Sequence, residues 1–181
     1  MNTYQIEKAL SRLSGKTVGV FAADRIPLSL GFPSSIVVNT QEHWKAGEHW
    51  IAIYINKNGY GFYFDSYGLP PYVSYHADRI KKNCTRYDWN QVQLQGYDIK
   101  VCGQYCIVFL YYMQKGKSIK SFNKLFSKSF KKNDKLIVKL YKKILALNLK
   151  KKKKIANKFP FDVSTGRGAR IQYCTSKICI S

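Results

Sequence analysis

Acidic residues are scarce in this chain. Ten Asp and Glu stand against 31 Lys and Arg, which gives a formal net charge of +21 over 181 residues. Solubility alone requires far less charge than this. The excess predicts a polyanionic partner, with nucleic acid as the first candidate and an anionic membrane surface as the second. A lysine-rich coding bias, of the kind that AT-rich genomes impose, is the alternative explanation.

Long apolar runs are also missing. No stretch approaches the roughly 18 consecutive apolar residues of a membrane span, so none is expected. The N-terminal segment Met1–Leu13 is amphipathic and lacks the apolar region of a secretory signal, which predicts an intracellular protein. The length suits one domain with a substantial core.

Cysteine and histidine are few and do not form a metal-binding pattern. The five cysteines are an odd number with no C-x-x-C pair, and the three histidines are not spaced with them as zinc ligands. A disulfide scaffold and a metal site are therefore not expected, and most thiols are expected to be reduced.

Hydrophobic periodicity predicts an α+β protein. Asn58-Gly59 is typical of a type I′ turn, which joins the strands Trp50–Ile55 and Tyr60–Phe64 into a hairpin. The apolar run Cys102–Met113, which ends before Gly116, predicts a buried helix. The other predicted strands are Ser35–Val38 and Val92–Leu94, and the other predicted helices are Thr3–Leu13, Val73–Lys82, Ser118–Ser127 and Asn133–Leu147.

A change of composition near Asn148 predicts a domain boundary. Residues 1–148 form the predicted domain, and residues 149–181 form a basic tail that could dock on it. The tail opens with an unbroken lysine block, which is the predicted site of DNA binding: Lys150, Lys151, Lys152, Lys153 and Lys154.

Cys102 is the candidate nucleophile. It stands where irregular chain gives way to the predicted helix, and the positive end of a helix dipole lowers the pKa of a thiol. Gly103 beside it would let a substrate backbone approach closely. The alternative is an ordinary buried cysteine. That alternative suits Cys106, one turn later, better than it suits Cys102.

His49 and Asp65 are the candidate base and its orienting acid. His49 precedes the first strand of the hairpin and Asp65 follows the second, so hairpin geometry brings them to the same end of the sheet. An imidazole can deprotonate a thiol, and a carboxylate can orient the imidazole. Asp65 could instead only begin a turn, and Trp50 could either shield the imidazole or belong to the core.

Gln95 is the candidate oxyanion donor. Its amide could donate a hydrogen bond to a developing oxyanion, alongside the backbone N–H of Cys102. By itself, a Gln in a loop is normally only solvated. Its position seven residues before Cys102 is what makes it a candidate.

These residues resemble the motifs of the adenovirus-type cysteine proteases, which occur in adenoviruses and in Maverick/Polinton elements. The similarity rests on the order His, acid, Gln, Cys, and it covers roughly residues 1–147. It implies a mixed sheet flanked by helices, in the fold shared with SUMO-specific proteases. It also implies Cys102 as nucleophile, His49 as base, Asp65 as orienting acid and Gln95 as oxyanion donor. The adenoviral enzyme has Glu at the position of Asp65, whereas SUMO-specific proteases have Asp.

The resemblance also implies cofactors and partners. Cys84 looks like the family's site for a disulfide to a short, basic, cysteine-bearing activating peptide, supplied in cis or in trans. A peptide in cis would be this chain's own tail, joined to Cys84 by a disulfide from Cys174 or Cys179. The sequence Gly166-Arg167-Gly168, which precedes both cysteines, resembles the Gly-x-Gly sites near which the family cleaves. DNA is the second implied cofactor, bound without sequence specificity. The implied protein is a monomer that acts on capsid or core precursors in the host nucleus or the virion.

Three functions follow as hypotheses. The first is a thiol endopeptidase that processes structural precursors of a virus or virus-like element at Gly-containing sites. The second is a deubiquitinase or SUMO-type isopeptidase on the same fold. The third is a non-catalytic, basic DNA-binding protein. This hypothesis does not explain the spacing of Gln95 and Cys102.

Overall fold

The part of the chain that the structure describes folds into eleven elements. The computed structural model describes residues 1–13 and 15–158, with side chains up to residue 147. In chain order the elements are α1 (Thr3–Leu10), β1 (Gly19–Phe21), a 3₁₀ turn (Ala23–Arg25), β2 (Ser34–Asn39), β3 (Trp50–Ile55), β4 (Tyr60–Phe64), α2 (Ser74–Asn83), β5 (Arg86–Trp89), α3 (Cys102–Gln114), α4 (Ile119–Asn123) and α5 (Phe130–Lys158).

The five strands form one mixed sheet in the order β1-β2-β3-β4-β5. The three central strands are antiparallel, and each edge strand runs parallel to its neighbour. On one face of the sheet lie α1, α3 and α4, with α5 packed on the far side of α3, and the other face packs on α2. The predicted α+β class, a mixed sheet flanked by helices, is confirmed.

Helix α3 lies at the centre of the larger core. Nine of its thirteen residues are buried, so it is apolar on nearly all sides, as a helix enclosed by other elements must be. It contacts β3 on one side and α5 on the other. Its N-terminal residue, Cys102, therefore lies at a fixed place beside the start of β3.

The hairpin forms as predicted, but its turn is of a different type. A type I′ turn needs positive φ at both central residues, and Gly59 (φ 77°) has one whereas Asn58 does not. The N–H of Gly59 instead donates to the carbonyl of Asn56 (3.1 Å), and the side chain of Asn56 accepts from the N–H of Asn58. The side-chain bonds of Asn56 favour this turn locally.

One predicted strand is absent, and two observed strands were not predicted. The strand expected at Val92–Leu94 is absent, because Leu94 is buried as part of a loop whose N–H groups bond to Ser66. The edge strand is instead β5, in which exposed and half-buried residues alternate and apolar residues are few. Strand β1 carried no strong sequence signal, since it has only three residues.

Helix α5 is longer than expected. It begins at Phe130 and continues to Lys158, so the boundary expected near residue 148 falls within a helix. The lysine block Lys150–Lys154 belongs to this helix, whereas Cys174 and Cys179 lie outside the described residues. Within the described part of the chain, no helix combines the length and apolar character needed to cross a membrane.

Candidate active site

His49 is held at the entrance of β3. Its backbone carbonyl accepts a hydrogen bond from the N–H of Thr40 (2.9 Å), which continues the pairing of β2 with β3 by one step. The residue is 7% exposed, so only an edge of the imidazole reaches solvent. The sheet therefore fixes both the position of the ring and the direction of its approach to α3.

Asp65 lies directly against this imidazole. Its Oδ1 is 2.8 Å from Nε2 of His49, and the carboxylate is fully buried. The same oxygen accepts the backbone N–H of Tyr67 at 2.8 Å. Because Nε2 is taken by Asp65, the imidazole nitrogen left for a thiol is Nδ1. The hairpin thus brings His49 and Asp65 together, as its geometry predicted.

Cys102 completes a line of three groups. Burial alone would raise the pKa of its thiol, but a hydrogen bond with His49 and the positive charge of the imidazolium lower the pKa below its usual 9.0. Backbone hydrogen bonds from Trp50 and Gly103 act in the same direction. Its place at the N-terminus of α3 also favours a thiolate.

The pKa of the His49 imidazole shifts in the opposite direction. Burial would lower the pKa of His49, but its hydrogen bonds with Asp65 and Cys102 outweigh this and raise the pKa to about 9. A lowered pKa of the thiol and a raised pKa of the imidazole both favour the thiolate–imidazolium pair over the neutral pair. This charged pair is the nucleophile that acyl transfer by a cysteine requires.

Cys106 provides an internal contrast. It lies one helical turn beyond Cys102 and is fully buried, and its thiol donates to the carbonyl of Trp50 at 3.3 Å. Burial raises its pKa well above the usual value, so it stays a protonated core thiol. The two cysteines therefore differ in reactivity because of position rather than residue type.

Gln95 is close to this line but is already hydrogen-bonded. Its Oε1 accepts from the hydroxyl of Ser66 (2.8 Å), and its Nε2 donates to the carbonyl of Ile99 (3.1 Å) and to the hydroxyl of Tyr67 (3.3 Å). The side chain is 1% exposed. An oxyanion would have to replace one of these two acceptors, and the longer bond to Tyr67 is the weaker of the two.

The structure decides between the alternatives for Trp50 and corrects the interpretation of Gly103. The ring that stacks on His49 is Tyr67, whereas Trp50 packs against the larger core, which was the second alternative, and its indole donates to the carbonyl of Met1 (3.0 Å). Neighbouring residues of an extended chain face opposite ways, so Trp50 could not share the side of His49. Gly103 does not face a substrate path, because a Cβ there would lie 3.2 Å from the side chain of Met1.

A cleft of about 360 Å³ opens beside Cys102. Its walls come from the N-terminal segment, from β1 with the residues after it, and from the loop between β2 and β3. The lining is mixed in polarity and includes the small residues Ala46 and Gly47 as well as the carboxylate of Glu48. An extended peptide that approached the thiol from this side would run between these walls.

The other predicted site residues lie elsewhere. Cys84 packs against Gly61, at the opposite end of β4 from Asp65, and burial raises its pKa to about 11. Cys84, Cys102 and Cys106 form no disulfide with one another. Within the described residues, no three His, Cys, Asp or Glu side chains group as metal ligands. The predicted partners of Cys84 lie outside the described residues.

Sequence reasoning missed three residues that surround the site. Tyr67 stacks on His49, Ser66 bonds to Gln95, and Asn90 bonds to the backbone of Asp65. Ser66 and Tyr67 directly follow Asp65 in the sequence, so their closeness to the site could have been predicted from that position. Asn90 carried no signal, because its contact spans 25 residues and depends on the packing of β5.

Comparisons with known proteins add little to this geometry. No protein-family model matches the chain, and no curated protein matches it. Among solved structures it is similar to a crystal structure of an ASFV protease, in its selenomethionine form, at 19% identity and a TM-score of 0.39. The match covers 62% of this chain and 42% of that one, so it spans less than half of that protein. The arrangement of His49, Asp65 and Cys102 therefore carries the functional inference.

Proposed function

We propose that this chain is a cysteine endopeptidase with Cys102 as nucleophile, His49 as general base and acid, and Asp65 as the group that orients His49. The observation that carries this proposal is the buried line from the Asp65 carboxylate through His49 to the Cys102 thiol. The contact with His49 lowers the pKa of the Cys102 thiol, and each of the three groups is placed by a different element of the fold.

The mechanism follows from the ionisation of the pair. The thiolate of Cys102 attacks the scissile carbonyl carbon, and the imidazolium of His49 gives its proton to the leaving amine as the C–N bond breaks. His49, now neutral, takes a proton from water, and the resulting hydroxide attacks the thioester. The acid product leaves and the thiolate–imidazolium pair returns. Asp65 keeps Nε2 protonated and stabilises the imidazolium throughout.

The oxyanion has two candidate donors. The N–H of Cys102 belongs to the first turn of α3, where backbone donors have no acceptor within the helix. The amide of Gln95 is the second donor, once an oxyanion replaces the hydroxyl of Tyr67 as acceptor. Removing one such donor typically costs about a hundredfold or more in kcat. Gln95→Ala should therefore slow acyl transfer without changing the alkylation of Cys102.

The proposed substrates are structural precursors of a virus or virus-like element, cut at Gly-containing sites in the nucleus or the virion. The similarity to adenovirus-type proteases supports this class, and the small residues along the cleft suit an extended, glycine-rich backbone. A deubiquitinase or SUMO-type isopeptidase is the second candidate, because such substrates also present glycine to the thiol. Cleavage of capsid-type peptides compared with ubiquitin-like substrates would separate the two.

DNA is the proposed polyanionic cofactor, and the distribution of charge supports it. Residues 115–181 carry twenty of the 31 basic residues but two of the ten acids. Eleven lysines between positions 115 and 143 are exposed, whereas the one acid in that range, Asp134, is buried. These lysines are continuous along the chain with Lys150–Lys154, so positive charge is concentrated in this part of the sequence, where a phosphate backbone could bind.

A disulfide-linked activating peptide at Cys84 is the remaining part of the proposal. The resemblance supports it, and Cys84 is half-exposed beside the free edge of β5. A raised thiol pKa makes Cys84 slow to exchange at neutral pH, so its oxidation would need a docked partner. Mass spectrometry of active, unreduced protein would test this, and a free Cys84 there would reject it.

The decisive experiment compares two cysteines in one protein. The rate of alkylation by iodoacetamide is followed for Cys102 and Cys106 between about pH 5 and pH 9, and Cys106 serves as the buried control. Cys102 should react rapidly already near pH 6. Cys102→Ala should abolish peptidase activity and leave DNA binding intact. An ordinary alkaline profile for Cys102 would instead favour a non-catalytic DNA-binding protein.

A further inference from the structure

Asn90 is fully buried and makes all of its side-chain hydrogen bonds to the backbone. Its Oδ1 accepts the N–H of Asp65 (2.9 Å), and its Nδ2 donates to the carbonyl of Asp65 (2.6 Å). A third bond runs from Nδ2 to the carbonyl of Val92 (3.2 Å). The carboxamide thus holds Asp65 by both backbone groups at once.

The two hydrogen bonds between the Asn90 side chain and the Asp65 backbone take the place of a further backbone pair between β4 and β5. The parallel pairing of β4 with β5 ends at Tyr63 and Trp89, and Asn90 follows Trp89 directly. The side-chain amide of Asn90 then offers Asp65 one donor and one acceptor, as the backbone of a further strand residue would. The chain after Asn90 is therefore free to turn towards Gln95 while Asp65 remains anchored.

The carboxylate of Asp65 depends on this backbone anchor. Its bonds to His49 and to the N–H of Tyr67 both use Oδ1, and Oδ2 has no hydrogen-bond partner among the described residues. A carboxylate held through one oxygen can rotate or shift if its backbone moves. A displacement of a catalytic group by about 1 Å can lower the reaction rate about a hundredfold.

We propose that Asn90 is a positioning residue that sets the Asp65 carboxylate against Nε2 of His49 and, through that contact, the reactivity of Cys102. The inference rests on the proposed function and deepens it by naming the group on which the acid depends. Asn90 touches neither the imidazole nor the thiol in any of its bonds, so it acts through Asp65.

The other titratable groups around the pair do not obscure its titration. His76 faces it from α2 and is buried, and burial lowers its pKa to about 4. The tyrosines that face Asp65 or Cys102 all have raised pKa values through burial, and they are Tyr63, Tyr67 and Tyr72. Glu48 adjoins His49 in the chain. None of these groups contacts the carboxamide of Asn90 through a side-chain hydrogen bond.

The test is the pH profile of Cys102 alkylation in Asn90→Ala and in the milder variant Asn90→Ser. Both should move the acid limb of the profile upward, by about one pH unit for Ala, since the weakened contact to Asp65 destabilises the imidazolium. Peptide hydrolysis should fall about tenfold or more in kcat/KM. In an Asp65→Asn background, Asn90→Ala should cause no additional shift.

Asn83→Ala is the matched control. Asn83 is another buried asparagine with three bonds to backbone groups. Two of them hold α2 to Leu28 and Leu30, away from the site, and the third stays within α2, to the carbonyl of Arg79. Its loss should lower the melting temperature and leave the pH profile in place. A profile unchanged in both Asn90 variants, or a shift that persists without Asp65, overturns the inference. An ordinary thiol profile in the wild type rejects the proposed function instead.

Discussion

The ring of Tyr67 stacks on the imidazole of His49, with centroids 4.7 Å apart and planes inclined by 25°. Tyr97 stacks on the outer face of Tyr67 at 5.2 Å, so two aromatic layers separate this side of the imidazole from solvent. The hydroxyl of Tyr67 also accepts a hydrogen bond from Gln95. One side chain therefore contacts both the candidate base and the candidate oxyanion donor.

Tyr67→Phe and Tyr67→Ala should separate these two contacts. Phe retains the stack, so the alkylation profile of Cys102 should match that of the wild type. Ala removes a stacking contact worth about 1 kcal/mol, and kcat/KM should fall about fivefold as the imidazole loses its fixed orientation. Alkylation rates of Cys102 against pH would check the first expectation, and steady-state kinetics of both variants with one peptide substrate would check the second. Equal losses in the two variants would show that the hydroxyl, and not the ring, is what matters.

Activity should decline at alkaline pH because the imidazolium is needed to protonate the leaving amine. The pKa of His49 is raised to about 9, so kcat should hold near neutral pH and fall as the pH rises through about 9. Asp65→Asn removes the main cause of that increase. The alkaline limb should then move down by about one to two pH units. A pH–rate profile for each protein would check this, and coincident alkaline limbs would contradict it.

Gly68→Ala should destabilise the protein and disturb the site. Gly68 has a φ of 77°, and a Cβ there would lie 2.7 Å from the backbone carbon of Val92. Backbone strain of this kind costs about 1–3 kcal/mol before the clash is added. The clash would push the Asp65 turn away from the segment that contains Gln95.

Gly116→Ala is the control for that substitution. Gly116 has a similar φ of 73°, but a Cβ there would meet nothing within 4 Å. Denaturant unfolding should therefore show a smaller loss of stability for Gly116→Ala, from backbone strain alone. The difference between the two variants measures the clash. Equal losses of unfolding free energy in the two variants would mean that the loop at Val92 moves to accommodate the Cβ at no cost.

The exposed lysines of α5 should determine the salt dependence of DNA binding. Replacing Lys135, Lys139 and Lys142 by Gln should reduce the magnitude of the slope of log K against log salt by about 3, at roughly 0.9 for each phosphate contact. These three residues are exposed on one side of the helix. Fluorescence anisotropy with a random duplex at several salt concentrations would measure the slope.

A second triple variant removes the same charge elsewhere. Lys57, Lys81 and Lys82 are also exposed but lie in the first 114 residues, where eight acids balance most of the basic residues. Replacing them by Gln should leave the slope nearly unchanged. If both triple variants reduce the slope equally, binding depends on net charge and not on the face of α5.

Local signals in the sequence were sufficient for the elements that carry the candidate site. The alternating strands around Asn58-Gly59 predicted the hairpin, and a hairpin brings the residues that flank it together whatever its turn type. The apolar run from Cys102 predicted α3, because a helix apolar on all sides must lie within a core. His49, Asp65 and Cys102 could therefore be named before the fold was known.

The surroundings of that site depended on the tertiary structure. Asn90 meets Asp65 only because β5 pairs with β4, and Gln95 meets Ser66 only because the loop after β5 returns to it. Nothing in the local sequence distinguishes Asn90 from any other polar residue after a strand. Sequence periodicity reports which side of an element is buried, and it carries no information on which distant element will cover that side. The ionisation of Cys102 also depended on the tertiary structure, since the contacts that lower its pKa come mainly from His49 and Trp50, which lie about fifty residues earlier in the chain.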